Sequence, residues 1–311
     1  MKDSSNALMM KKEKLNIQNV DHQLKRNKTK DLGEQVIETF FFVCALVAVL
    51  SVVIITVYIF VKGVPAISEI GLRNFTLGQK WKPLQGVFGI FPMIIGSIYA
   101  TLGAIVMGVP IGVLTAVFLA EVAPGWLVKI VKPAVELLAG IPSVVYGFFG
   151  LVVIVPLISK HFGGPGNSLL AVNVMLGIMI LPTIVNISEN AIRSVPKEYK
   201  EASLALGASQ IQTIFKVILP AARSGILTSV VLGIGRAIGE TMAVILVAGN
   251  TPAIPKALTE PMRTLTANIA MEMSYAQGLH QEALFGTGVI LFIFIMILNI
   301  ALNIFTNKAG E

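Results

Sequence analysis

The chain has 311 residues, of which 55% are hydrophobic and only 13% charged, and its mean hydropathy of +0.80 lies far above that of an ordinary globular protein. A formal net charge of +7 would suit a nucleic-acid binder, but eight of the 24 Lys and Arg fall within the first 30 residues, ahead of any apolar run. The composition therefore excludes a soluble enzyme, indicates a polytopic membrane protein with no nucleic-acid partner, and makes the basic cluster a cytosolic orientation signal.

Residues 1–38 are charged, nearly free of aromatics and broken by Asn and Gly, so they are expected to form a mobile cytosolic tail. The apolar run 39–61 has about the ~20 residues that cross a bilayer core. It follows a long polar segment and is expected to stay as an N-terminal anchor helix. Cys44, the single cysteine, lies within it, which excludes an internal disulfide and any multi-cysteine metal site. Further spans are predicted at 93–120, 134–158, 169–188, 225–249 and 286–306. The expectation is an all-α protein with six transmembrane helices, both termini on one side and a short tail over 304–311.

Lys and Arg choose the side. The basic tail, the connection with Lys129 and Lys132, and the connection with Arg193, Lys197, Lys200, Lys216 and Arg223 are assigned to the cytosol. Lys62, Arg73, Lys80 and Lys82 make the first external loop moderately basic against that trend. Within the second span, Gly108 and Gly112 give a small-xxx-small spacing for close helix approach, and Pro110 frees a carbonyl there. Glu136 opens the third span, near the cytosolic edge, where a structural role is expected of it. No phosphate-cradling GxxxxGK[ST] loop, HExxH pair or GxSxG elbow occurs, so the chain has no nucleotidase, zinc-protease or serine-hydrolase site of its own.

Between Pro196 and Pro220 the apolar positions take helical spacing on both sides of Gly207. Pro196 suits a first turn, and Tyr199, Ala202, Ser203 and Leu206 share one face. Ser209 and Gln212 stand at capping-box spacing, and Ile211, Ile214, Phe215 and Ile218 form a second stripe that Pro220 is expected to stop. Two short helices joined by a glycine bend make a knob, which periodicity alone assigns equally to a lipid surface or to a protein groove.

The span at 225–249 carries Arg236 near its middle, and a lone guanidinium there costs a few kcal/mol. Glu240 follows at i+4, a spacing that puts both side chains on one face of a continuous helix, with Gly235 and Gly239 beside them and the Thr241 hydroxyl nearby. Either the two charges neutralise each other between helices, or Arg236 faces a polar path and meets an anion while Glu240 limits its retention. Arginine suits phosphate because its planar donors match two oxygens at once. Beyond this span, residues 250–285 contain Pro252, Pro255 and Pro261 and a predicted short helix over 262–273. They form either a contact for a substrate-delivering protein or a lid over their own subunit.

Glu201-Ala202-Ser203, Gly207, Val217 and Leu219-Pro220 follow the spacing E-A-A, three residues, Gly, nine residues, Ile, one residue, Leu-Pro, with Ser203 and Val217 as conservative departures. This resembles the coupling loop of the membrane subunits of bacterial ABC importers. The resemblance covers about 93–303 and implies the type-1 permease fold. It also implies a docking role for the loop on a cytosolic ATPase, through Glu201, Ala202, Gly207, Leu219 and Pro220. The stretches from Arg236 through Glu240, Thr241 and Asn250, and from Arg263 through Glu272 to His280 and Phe285, are similar to the PstC-type subunits of the phosphate branch. What this implies is a permease paired with a PstA-type permease, two PstB-type ATPases and an extracytoplasmic phosphate-binding protein. ATP and magnesium would be bound by the partners, with no cofactor or metal in this chain. Importers of another oxyanion and a non-transporting membrane sensor are the alternatives.

Overall fold

The structure, a computed structural model, describes residues 34–301 and Ile304. Of the predicted tails, only residues 34–38 and Ile304 fall among the described residues. The chain divides into two compact units, Met1–Tyr58 and Ile59–Glu311. In the first, residues 34–58 belong to helix α1 (Glu34–Ile70), apolar and exposed at nearly every position, as a helix surrounded by lipid would be. α1 is longer than the predicted 39–61. Nothing before Gly71, at φ +86°, forces the backbone out of helix, and Pro65 removes only one intrahelical hydrogen bond.

In the second unit, α1 ends beside a short helix α2 (Leu72–Leu77) and a hairpin of β1 (Trp81–Lys82) and β2 (Val87–Phe88), paired antiparallel with Trp81 opposite Phe88. This hairpin is a small β addition to a structure that is otherwise helical. α3 (Phe91–Val122) follows, its last residues Phe118–Val122 widened into a π-helix. Then come α4 (Gly125–Gly140), α5 (Ser143–Phe162), which carries a π-helical stretch at Gly150–Ile154, and α6 (Leu169–Arg193). The third predicted span, 134–158, is thus two elements. Pro142 disfavours helical backbone at Ile141, whose ψ is 127°, so α4 stops at Gly140 and Glu136 belongs to α4 rather than to the membrane-crossing helix. Tyr146 bridges the break, its hydroxyl donating to Leu138 O at 2.7 Å.

The knob consists of α7 (Lys197–Ala205) and α8 (Gln210–Ala221). α8 ends at Ala221, one residue past Pro220, which sits at the start of the last turn where its missing N–H is tolerated. The chain then bends by 69° at Ala222 into α9 (Arg223–Gly239). After α10 (Met242–Val247) and α11 (Leu265–Glu272), α12 (Leu279–Ala301) completes the described chain. Among the described residues five helices are long and apolar enough to cross a membrane, and the bent pair raises this to six.

Helices α3 and α6 form the centre, where Met175, Leu176, Met179, Ile180 and Ile184 are buried. Lipid is as apolar as leucine, so close fit rather than water exclusion drives this packing. A Cβ at Gly108 would lie 2.6 Å from Ile180 Cδ1 and one at Gly112 would lie 2.8 Å from Ile184 Cγ2, so both glycines serve helix contact. A second cluster, with Phe75, Trp81, Phe88, Met93 and Leu284, closes the hairpin end of the unit. A third, Ala116, Val117, Ile192, Ile214 and Ile218, closes the knob end.

Candidate functional site

Two regions carry the predicted functional residues. The first is the knob. α7 ends at Ala205 with Leu206 as its C-cap, and Gly207, at φ +87°, donates its N–H to Leu204 O at 2.9 Å while Ala208 donates to Ser203 O at 3.2 Å. This is a glycine-terminated helix end, and it reverses the chain. The capping box is present in both directions: Gln212 N donates to Ser209 Oγ at 3.3 Å and Ser209 N donates to Gln212 Oε1 at 2.9 Å. Ser203 and Thr213 hydroxyls hydrogen-bond at 2.9 Å and tie the two short helices together.

The predicted apolar stripes do not simply face inward. Ile214 and Ile218 are buried, whereas Tyr199, Leu206, Ile211 and Phe215 are exposed, Leu206 at 89%. Glu201, Ala202, Gly207 and Pro220 are also exposed, and Leu219 is half-buried. The outward residues form an apolar surface bordered by Lys197, Glu198, Glu201 and Lys216, the composition of a protein-contact face.

The knob is fastened to the bundle by charges that sequence reasoning missed. Lys200 Nζ meets Glu121 Oε2 at 2.5 Å, and Gln210 Nε2 donates to Glu121 O at 3.4 Å. Glu189, with a side chain only 1% exposed, receives Lys132 at 3.2 Å and Arg193 Nε at 2.7 Å, while Arg193 Nη2 donates to Leu119 O at 2.7 Å. The available signal was two acidic residues, Glu121 and Glu189, each near the end of an apolar run. Arg193 stands at i+4 from Glu189, a local signal, but Lys200 and Lys132 lie 79 and 57 residues from their carboxylates, beyond any local pattern.

The second region is the break between α9 and α10. The helix carrying Arg236 ends at Gly239, and Glu240 has extended backbone, φ −69° and ψ 130°. Arg236 and Glu240 therefore do not share one continuous helix face, which corrects the i+4 expectation. Glu240 Oε1 instead accepts the Ala243 N–H at 3.1 Å and caps α10, and its carbonyl accepts from Thr266 Oγ1 at 3.0 Å. Thr241 turns its hydroxyl to Gly239 O at 3.2 Å. Arg236 is half-buried and makes no ion pair or hydrogen bond among the described residues. Tyr146 of α5 lies within electrostatic range of it.

At the hairpin end, Glu272 is a buried hub. Arg263 Nη1 reaches Glu272 Oε1 at 2.6 Å, and Trp81 Nε1 and His280 Nε2 meet Oε2 at 2.9 and 2.8 Å. Arg263 also donates to Asn250 O at 2.8 Å and Asn268 Oδ1 at 2.9 Å. Met262, Leu265, Ala267 and Asn268 are fully buried, so much of the 250–285 loop packs on its own subunit.

Long helices around a broken one, with a cation near the break that is unpaired among the described residues and an exposed apolar knob at one end of the bundle, define a multi-pass membrane transport subunit. A family model described as the binding-protein-dependent transport system inner membrane component matches residues 108–309, and the chain belongs to that family. Curated relatives agree. A probable ABC transporter permease protein YqgH of Bacillus subtilis is 40% identical over 82% of this chain and 86% of its own length. The phosphate transport system permease protein PstC of Pasteurella multocida is 33% identical over 86% and 90% respectively. The same-named protein of Haemophilus influenzae is 36% identical over 71% and 76%.

Solved structures show the fold. The methionine transporter MetNI in inward-facing form matches with TM-score 0.57 and 21% identity, covering 75% of this chain and 100% of that one. A bacterial ABC transporter involved in alginate import matches with TM-score 0.57 and 15% identity, covering 85% and 96%. The fold is that of a type-1 ABC importer permease.

Proposed function

We propose that this chain is one membrane-spanning half of an importer that carries inorganic phosphate, driven by ATP hydrolysis in partner subunits. The observation that carries the reading is Arg236. Among the described residues it has no neutralising partner in its membrane helix, and its predicted counter-charge is diverted into capping α10. An unpaired arginine at membrane depth is stable only against water or an anion, and the guanidinium fork matches two phosphate oxygens. The likeness to PstC proteins supports phosphate over other oxyanions.

In this reading Arg236, Glu240 and Thr241 line the path, and the break between α9 and α10 gives the side chains there room to face it. The exposed knob face around Glu201, Ala202, Gly207, Leu219 and Pro220 docks on one of two PstB-type ATPases in the cytosol, which bind the ATP and magnesium. A PstA-type permease forms the other half, and an extracytoplasmic phosphate-binding protein delivers the substrate to the hairpin end. Both termini are cytosolic. ATP binding shifts the population between states that open Arg236 to opposite sides.

Uptake of labelled phosphate by a strain lacking this gene tests the reading. Restoring the gene should restore uptake, and excess unlabelled phosphate but not sulfate or molybdate should compete. Competition by sulfate or molybdate would reassign the substrate, and unchanged phosphate uptake on deletion would remove the transport role.

A further inference from the structure

We infer that the π-helical end of α3 is the point at which movement of the knob enters the membrane helices, with Glu121 and Glu189 as positioning residues. The inference rests on the importer function proposed above. Three contacts from outside α3 converge on Phe118–Val122: Arg193 on Leu119 O, Lys200 on the Glu121 carboxylate and Gln210 on Glu121 O. Lys200 comes from α7 and Gln210 from α8, so both halves of the knob hold the same short segment. Because Ser203 and Thr213 also lock α7 to α8, a displacement of the knob pulls on Glu121 as a unit.

Glu189 extends the linkage. Arg193 grips Leu119 O with one nitrogen and Glu189 with another, and Lys132 brings α4 onto the same carboxylate. Glu189 is almost wholly enclosed, so losing either cation leaves its buried charge compensated by one partner instead of two, and the linkage that joins α3, α4 and α6 is weakened. α4 in turn leads into the Pro142 break and α5, whose Tyr146 lies within electrostatic range of Arg236. A π-helical segment suits this role because its wider turn interrupts the regular ladder and gives the helix end a local point of adjustment.

The test uses the whole transporter, purified through a tag on this chain and reconstituted in liposomes. Phosphate uptake and ATP hydrolysis are compared for wild type, Glu121→Gln, Glu189→Gln, Glu121→Lys, and Glu121→Lys combined with Lys200→Glu. Both Gln variants should keep hydrolysing ATP while phosphate moved per ATP falls about tenfold, and the charge exchange should recover most of what Glu121→Lys loses. Hydrolysis and uptake falling in the same proportion, or an exchange no better than Glu121→Lys alone, would overturn the inference. Hydrogen exchange with a nonhydrolysable ATP analogue gives a readout independent of substrate. Residues 197–213 and 118–122 should both respond in wild type, but only 197–213 in Glu121→Gln, and an equal response of 118–122 in that variant overturns the linkage. A wild-type transporter that moves no phosphate would sink the phosphate reading instead, and the hydrogen-exchange comparison would still judge the linkage.

Discussion

At the scale of single residues, Glu240 separates what its neighbours allow from what its spacing suggested. Its carboxylate accepts the Ala243 N–H at the start of α10, so its position is fixed by a backbone donor rather than by Arg236. Glu240→Gln keeps an oxygen where the cap needs one, and should cost about 1 kcal/mol, roughly fivefold in phosphate uptake. Glu240→Ala removes the cap, frees the break and should lower uptake further, with membrane abundance unchanged on immunoblot. Equal uptake in the two variants would show that the cap contributes nothing. The i+4 reading failed because it assumed an unbroken helix, and no proline marks the break. Gly235 and Gly239, read only as space beside the charges, were the local sign that helix was weak there.

At the scale of elements, local chemistry was the most legible. The Gly207 bend and the Ser209–Gln212 box lie within a few residues of each other and appear as expected. Which face of the knob turns outward was not legible, because a surface built for another chain has the same apolar periodicity as one built for its own core. The span boundaries show a similar limit. Pro142 lies inside the predicted third span 134–158, yet it ends one element and begins another. Gly207→Ala must hold an L-residue at positive φ, costing about 1–2 kcal/mol, and should reduce uptake only in part. Gly207→Pro also deletes the N–H that bonds Leu204 O and cannot reach φ +87°, so uptake should be lost while the chain remains in the membrane. Transport at the wild-type rate in Gly207→Pro would remove the bend as a coupling feature.

At the scale of the whole molecule, the hydropathy pattern was enough for the all-α membrane fold, and the charged hubs that hold its two ends were not visible. Glu272 gathers Trp81, Arg263 and His280, and Trp81 lies 191 residues away in sequence. Orientation is open to direct measurement. In a Cys44→Ala background, Leu84→Cys, at the fully exposed hairpin tip, and Tyr275→Cys should react with a membrane-impermeant thiol reagent in intact cells. Glu198→Cys on the knob should react only after permeabilisation, and its labelling from outside would invert the topology. The central claim, that phosphate crosses the membrane past Arg236, is tested most directly by uptake of labelled phosphate through transporters carrying Arg236→Gln together with Glu240→Gln. Assembly with the ATPase is first shown to be intact. The double change leaves no unpaired charge, so a residue that only helps packing should tolerate it, whereas the account predicts that uptake is lost because no cation remains to meet the anion. Uptake in the double variant equal to that of Glu240→Gln alone would contradict the account and leave Arg236 a structural residue.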